Sequence, residues 1–459
     1  MKRRDRDELD VALRSGAMSR RDVLRLAALG GAAAATAPVL AACGGSSKKA
    51  STNSAGATAA NSRGVGNDVA AKVRQYFGPI DEAHAGKGMP INVGAVLPLS
   101  GPGAFYGGVQ SRGTNLGAKH VKAAGGPDFR MVFKDHKSGD PQAGITASRE
   151  LGTSGIGLML SSYNADLFAM LPNIAQYQML TLDGGGGTSD AGKGKPFFWG
   201  TRAITPDDTF PGAVRYLKET SPNARKVALL GWDLGPASTP VIDNFKAALV
   251  PAGMSLVHTE LTQVGATDYS TPLSRLQSAK PDAVFVFLYG LDPGYFMKQY
   301  ATSGIDKPVF GSEFTADAAK TAGSAYNKYT FAYDFFNAKQ PTNDWGALFV
   351  DEYRKEYSAD PDFYAANYYE NVFHLWDLVQ RTLKRGGNPS KGPDMQAAML
   401  ESLSFKSLYG GSGSTPGITA LDPKTHSVAR RPMGVFTYNN GTITPKAFFD
   451  IGGADYRAA

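Results

Sequence analysis

From Ile91 onward the chain alternates short β-rich runs with helical ones, and this alternation limits the fold more than any other feature. The β-rich runs are Ile91–Leu97, Met131–Phe133, Ile156–Leu160, Met179–Leu182, Val227–Leu230, Leu256–Leu261, Ala283–Leu288 and Val309–Gly311. Between them lie segments such as Phe210, Ala213, Val214 and Leu217, whose spacing puts apolar groups on one helical face. Strand-helix alternation with buried strands implies parallel sheets flanked by helices. The runs fall into two groups, so the expected fold class is α/β with two doubly wound parallel-sheet lobes. After the aromatic strand Tyr329–Tyr333, helical patterns dominate: Trp345, Leu348 and Phe349, then Val372, Leu375, Trp376, Val379 and Leu383, ending at Gly386-Gly387. Gly410–Gly417 reads as a loop, and Gly434–Tyr438 with the Asn439-Asn440-Gly441 turn reads as a terminal hairpin. The later chain thus returns to the first lobe, and three crossings between lobes would make a hinge.

The N-terminal region is of another kind. Ser19-Arg20-Arg21-Asp22-Val23-Leu24 forms a charged segment with a twin-arginine pair, and Leu26 to Leu40 an apolar segment too short to span a bilayer as a permanent helix. Leu40-Ala41-Ala42-Cys43 resembles a bacterial lipobox, which implies cleavage after residue 42 and a lipid on the chain's only cysteine, leaving no disulfides. An ordinary secretory signal followed by an incidental cysteine is the alternative, and the Arg-Arg pair leaves folded export and ordinary export both open. From Gly44 to about Arg63 the chain is almost wholly Gly, Ser, Ala, Thr, Asn and Lys with little to bury, and residues 43–67 read as a flexible tether. The expected boundaries are therefore 1–42 leader, 43–67 tether, 68–206 first lobe with a helical lead-in, 207–332 second lobe, 333–420 return to the first lobe, and 421–459 C-terminal strands of the second lobe and hinge.

Charge removes one class of partner. The formal net charge is +7, but residues 1–42 hold eight Lys/Arg against five Asp/Glu, so the mature chain is near +4. No dense basic run interleaved with aromatics occurs, which argues against a nucleic-acid partner. No other apolar run reaches the length of a membrane span, so the expectation is a soluble protein tethered at the extracytoplasmic face of a cell membrane through Cys43.

The segment Ile91-Asn92-Val93-Gly94-Ala95-Val96-Leu97-Pro98-Leu99-Ser100-Gly101-Pro102, followed by Tyr106-Gly107, resembles the opening of the branched-chain amino-acid binding proteins, the type I solute-binding proteins of ABC importers. The similarity continues through Asp135, Asp140-Pro141, Ser161-Ser162, Gly311-Ser312-Glu313 and Gly434-Val435-Phe436, covering most of residues 90–440. It implies a type I periplasmic binding protein fold, a small-molecule ligand such as an amino acid held between the lobes, ABC permease subunits as partners, and no cofactor.

Several residues are candidates for the site. In open parallel sheets, ligands bind beyond the carboxyl ends of strands, where loops present N–H groups and helix N-termini. Ser161, Ser162, Tyr163 and Asn164 follow Ile156–Leu160 and precede a helical run; on the residues alone they read first as a helix cap, and the resemblance turns the reading toward a ligand carboxylate. Asp183 with Gly184 and Gly185 occupies the neighbouring loop, where glycine permits close backbone approach. The related proteins often carry hydroxyl residues there; an Asp183 facing the cleft would repel an anion, and a mobile loop is the other reading. The resemblance assigns Glu313 to the ligand's ammonium group and Tyr106 to the first-lobe wall; without it, Glu313 reads as a solvated residue or as a cap for the run from Thr315. Trp232 and Tyr289 follow second-lobe strands and are aromatic candidates or packing. Relatives often carry an aromatic residue where this chain has Leu234, so side-chain preference does not transfer.

Other chemistries fare poorly. Gly187 to Lys193 matches a phosphate-binding loop except at its last position, which is Gly194 instead of Ser or Thr, and Pro196 interrupts the helix that should follow. There is no Gly-x-Ser-x-Gly elbow or His-Glu-x-x-His, and the six histidines are scattered without metal-ligand spacing. The reading is a binding protein and not an enzyme. A sensory receptor of the same fold, a binder of amides, urea-like compounds or aromatic carboxylates, and a secreted hydrolase are the alternatives.

Overall fold

A computed structural model describes residues 65–459 apart from 163–164, 186–188, 203–205, 234 and 236–237. The expected leader, Cys43, most of the expected tether, Tyr163, Asn164 and Leu234 lie outside the described residues.

The first sheet is built by β1 (Pro90–Leu97), β2 (Asp128–Asp135), β3 (Leu158–Ser161), β4 (Leu180–Asp183) and β5 (Phe198–Gly200). Its helices are α1 (Asn67–Phe77), α2 (Ala104–Ala123), α3 (Pro141–Thr153), α4 (Ala165–Gln176) and the short α5 (Ser189–Gly192). The chain then crosses to α6 (Pro206–Thr220), β6 (Lys226–Trp232), α7 (Ser238–Leu249), β7 (Ser255–Thr262), α8 (Ser270–Ala279), β8 (Ala283–Phe287), α9 (Asp292–Tyr300), β9 (Val309–Gly311), α10 (Ala316–Ala322) and β10 (Tyr329–Asp334). It returns with α11 (Asp344–Tyr357), α12 (Phe363–Lys384), α13 (Gly392–Met399), β11 (Ser404–Ser412), β12 (Thr415–Asp422) and β13 (Ser427–Arg430). Finally it crosses again to β14 (Pro432–Asn439), β15 (Thr442–Asp450) and β16 (Ala454–Ala458).

Each lobe holds one eight-stranded mixed sheet. The order is β11-β12-β13-β5-β4-β3-β1-β2 in the first and β16-β15-β14-β10-β9-β8-β6-β7 in the second. The cores are parallel, β1 pairing with β2 and β3, and β6 with β7 and β8. The last strands of each sheet are antiparallel additions. Central strands are buried along nearly their whole length, β8 and β4 entirely, because helices cover both faces. Chain order reverses between β1 and β3 and again between β6 and β8, and these are the switch points where open sheets leave a crevice.

Local chemistry fixes several helix starts. Asp140 caps α3 by accepting from the Gln142 and Ala143 N–H groups, with Pro141 at the first helical position. Thr315 caps α10, accepting from the Ala318 N–H at 3.1 Å, so the cap that Glu313 was a candidate for belongs to its neighbour. Asn343 caps α11 and Asp362 caps α12.

Two regions differ from the sequence expectation. Gly410–Gly417 is mainly strand: β11 and β12 form a hairpin that turns around Gly413. Two of its glycines sit where the backbones approach closely, since a Cβ on Gly417 would lie 1.7 Å from the Tyr409 carbonyl oxygen and one on Gly411 2.3 Å from that of Thr415. Strand β13 belongs to the first sheet, so the last crossing falls at Arg431 and not near residue 421.

Candidate functional site

Glu313 follows β9 in the second lobe and is 1 % exposed. Its Oε1 accepts from the Tyr106 hydroxyl at 2.7 Å and from the Gly290 N–H at 2.9 Å, and its Oε2 accepts from the Tyr364 hydroxyl at 3.3 Å. Tyr106 sits on α2 and Tyr364 on α12, both packed on the first sheet, so a single second-lobe carboxylate joins the two lobes across the cleft. Burial pushes the Glu313 carboxyl up to about 7, against the lowering effect of its hydrogen bonds and of nearby Arg202. A carboxylate has about four acceptor positions, and three are taken, leaving one on Oε2.

Gln110 lies one turn after Tyr106 on the same face of α2, and its Nε2 donates to the Ser162 hydroxyl at 2.8 Å. Its Oε1 is buried without a partner, as is the Ser312 hydroxyl beside Glu313. Ser162 thus stands at the β3 end of the first switch point, 1 % exposed and held by α2. Ser161 turns the other way: its hydroxyl donates to the Asp183 carboxylate at 3.0 Å, and its carbonyl accepts from Tyr368 of α12.

Asp183 is fully buried, and its carbonyl accepts from the Thr201 N–H at 2.8 Å and hydroxyl at 2.9 Å. The carboxylate is therefore engaged beneath the loop instead of presenting a solvated charge. Gly184 and Gly185 are buried as well. A Cβ on Gly184 would meet Asn367 Oδ1 at 2.2 Å, so glycine here serves close packing against α12. With its amide oriented to suit both neighbours, Asn367 donates to the Gly184 carbonyl and accepts from Arg431, each at 3.1 Å.

In the second lobe, Trp232 at the end of β6 donates from Nε1 to Asp292 at 2.7 Å, and its ring lies 5.3 Å from that of Tyr289. Tyr289 follows β8, is 7 % exposed, and has its phenol pushed up by burial. Both aromatic candidates therefore flank the second switch point, next to Gly290.

Four residues of this arrangement carried no sequence signal strong enough to single them out: Gln110, Arg202, Tyr364 and Asn367. Gln110 alone was findable, from its position four residues after Tyr106. Arg202 follows the three-residue β5, is 1 % exposed and forms an ion pair with Asp334. Its guanidinium lies 4.6 Å from the Phe363 ring centre and 4.5 Å from that of Tyr364, and its Nη1 has no partner. Among the described residues no group of three or more His, Cys, Asp or Glu side chains is arranged to hold a metal ion, and no helix is long and apolar enough to cross a membrane.

Two α/β lobes, each with its switch point facing a shared cleft, define a bilobal binding protein. The sequence profile of periplasmic binding proteins matches residues 90–442, and the chain belongs to that family. A Leu/Ile/Val-binding protein homologue of Brucella melitensis is 22% identical over 358 residues, covering 77% of this chain and 92% of the relative. The branched-chain amino-acid transporter substrate-binding protein LivJ of Streptococcus pneumoniae, solved with isoleucine, superposes with a TM-score of 0.67 at 20% identity, covering 79% of this chain and 99% of that one. A solute-binding protein of an ABC transporter from R. palustris, solved with 4-hydroxybenzoate, gives a TM-score of 0.66 at 18% identity, covering 79% and 98%. The fold is thus that of the type I periplasmic binding proteins.

Proposed function

We propose that this chain is the solute-binding component of an ABC importer, taking an amino acid from outside the cytoplasmic membrane and presenting it to the permease. The observation that carries this reading is Glu313, a buried carboxylate at the second-lobe wall that already draws donors from both lobes. A ligand ammonium would replace Tyr106 or Tyr364 as donor to Glu313 and use the remaining position on Oε2. Ser162, with the N–H groups of the loop that follows, would take the carboxylate. Closure follows because a ligand touching both lobes stabilises the closed form by its differential contacts. Lipidation of Cys43 would keep the lobes near the permease on a flexible tether, with the twin-arginine leader as export signal. The protein makes and breaks no covalent bond in this role.

A second reading rests on Arg202, whose Nη1 is buried, unpartnered and stacked over Tyr364. An aromatic carboxylate would pair with this guanidinium and stack among Tyr106, Tyr289 and Trp232. Thermal unfolding against amino acids, amides and hydroxybenzoates, with Glu313→Gln in parallel, separates the two. A ligand at a hundred times its dissociation constant adds about 2.7 kcal/mol. A shift with amino acids that Glu313→Gln abolishes supports the ammonium site. A shift with benzoates alone, retained in Glu313→Gln, overturns it in favour of the aromatic acid.

A further inference from the structure

Each of the three crossings between lobes contributes one buried charge to a single cluster. Arg202 comes from the first, directly after β5; Asp334 from the second, at the end of β10; Arg431 from the third, between β13 and β14. All three are at most 1 % exposed. Arg202 and Arg431 each donate from Nε to a different oxygen of Asp334. Arg431 Nη1 also donates to Glu370 of α12 at 2.8 Å, and Glu370 is held by the Ser407 hydroxyl and the Leu408 N–H. Two arginines against two carboxylates make the cluster neutral, so it is stable in a dry interior only while its geometry is kept.

Two arms reach from this cluster to the cleft. Arg431 connects through Asn367 to the Gly184 carbonyl in the first lobe's loop. Arg202 connects through the face of Tyr364, whose hydroxyl reaches Glu313 in the second lobe. Arg431 is anchored on Asp334, Glu370 and Asn367, all of which would have to move with it. Arg202 has its ion pair to Asp334 on one side and two aromatic rings on the other, so it is the joint between hinge and cleft.

We propose that Arg202 is a positioning residue that couples the state of the cleft to the hinge: by stacking on Phe363 and Tyr364 while paired to Asp334, it holds the Tyr364 hydroxyl on Glu313 and thereby favours closure. When the lobes rotate apart about the crossings, Glu313 leaves Tyr364, and the planar guanidinium loses the ring arrangement that its pairing to Asp334 imposes. Charge alone does not do this. A lysine would keep the ion pair but has no planar face to stack, whereas the arginine fork fixes both directions at once.

The test needs no ligand, so it is independent of which solute the cleft takes, although it treats that cleft as the binding site. In the full chain carrying Cys43→Ser, spin labels at Gln142→Cys and Thr239→Cys report the lobe separation. Both positions are exposed and sit at helix starts on the cleft side of their lobes. Arg202→Lys and Tyr364→Phe are each expected to fold cooperatively and to lose most of the short-distance population of the parent. The double variant is expected to add nothing further, because the two residues act in series. Parent-like distances in folded Arg202→Lys, or shifts that add in the double variant, would overturn the proposal. If Arg202→Lys does not fold, Phe363→Leu removes one supporting ring and leaves every charge in place; lengthening supports the coupling, and an unchanged distribution rejects it.

Discussion

At the scale of single residues, Glu313 sets the pH behaviour of the cleft. Its carboxyl titrates at about 7 in the fold against an ordinary 4.5, because burial disfavours the ionised form more than its three donors favour it. A raised carboxyl contributes stability that is present below the unfolded value and is lost as pH rises through the folded one. Glu313→Gln keeps the shape and an acceptor oxygen for Tyr106 while removing the ionisation. Ligand-free Glu313→Gln is therefore expected to gain stability over the parent at pH 8, by up to about 3 kcal/mol, and to gain little at pH 4. Urea unfolding at the two pH values reads the difference, and equal effects at both would show that the carboxyl is not held neutral by burial. The same titration governs binding under the amino-acid reading. An ammonium favours the ionised carboxylate, so binding below pH 7 releases a proton and affinity rises from pH 5 to pH 7. Calorimetry in buffers of different ionisation enthalpy measures that proton; a proton count of zero at pH 6 would argue against an ammonium on Glu313.

At the scale of elements, the closest helix packing in the first lobe depends on glycine at one face of α2. A Cβ on Gly113 would lie 2.1 Å from the Ala365 carbonyl oxygen, and one on Gly117 2.9 Å from that of Tyr369, so α2 and α12 meet backbone to backbone. Gly108 on the same helix has open space around its Cβ position. Gly108→Ala is expected to stabilise the ligand-free protein by about 0.5–1 kcal/mol through helix propensity. Gly113→Ala gains the same propensity but forces the helices apart, and overpacking of this kind costs about 1–3 kcal/mol or more. Opposite shifts in unfolding midpoint check the pair; destabilisation by both would mean that propensity is not what separates them. The same contrast explains what the sequence reveals at this scale. The parallel strands are legible because burial on both faces makes them continuous apolar runs, as in Ala283–Phe287, and the three crossings follow from their grouping. Strand β5 is only Phe198–Gly200, too short for a pattern, and β11 and β12 carry glycines that imitate a loop while serving close strand contact. In the candidate site, Tyr106, Ser162 and Glu313 could be singled out from the sequence because they lie in segments resembling a known family. Arg202, Asp334, Glu370 and Arg431 were not, because isolated charges distant in sequence acquire meaning only when the crossings bring them together.

At the scale of the whole molecule, the buried ionisable groups divide into two sets that oppose each other with pH. Burial lowers His120 and His374 to about 3 and His136 to about 4, from an ordinary 6.5. The unfolded chain then binds more protons than the folded one below pH 6.5, so each histidine withdraws stability as pH falls toward its folded value. Glu313 at about 7 and Asp362 at about 6 act the other way, since the folded chain holds their protons more tightly. Burial also raises Glu370, Asp292 and Asp377, which side with Glu313 and Asp362 against the three histidines as pH falls, so the histidine contribution is read from single substitutions. His374 offers the direct check. It lies on α12, 1 % exposed, with Nε2 3.2 Å from the Lys406 carbonyl oxygen to which it donates, while Nδ1 has no partner. Glutamine places an amide N–H near the same carbonyl without titrating. His374→Gln is therefore expected to lose less stability than the parent between pH 7 and pH 5, the difference being about 2 kcal/mol from one suppressed protonation. Denaturant unfolding at both pH values measures it. Equal losses in parent and variant would remove His374 from the acid limb and leave His120 and His136 to carry it.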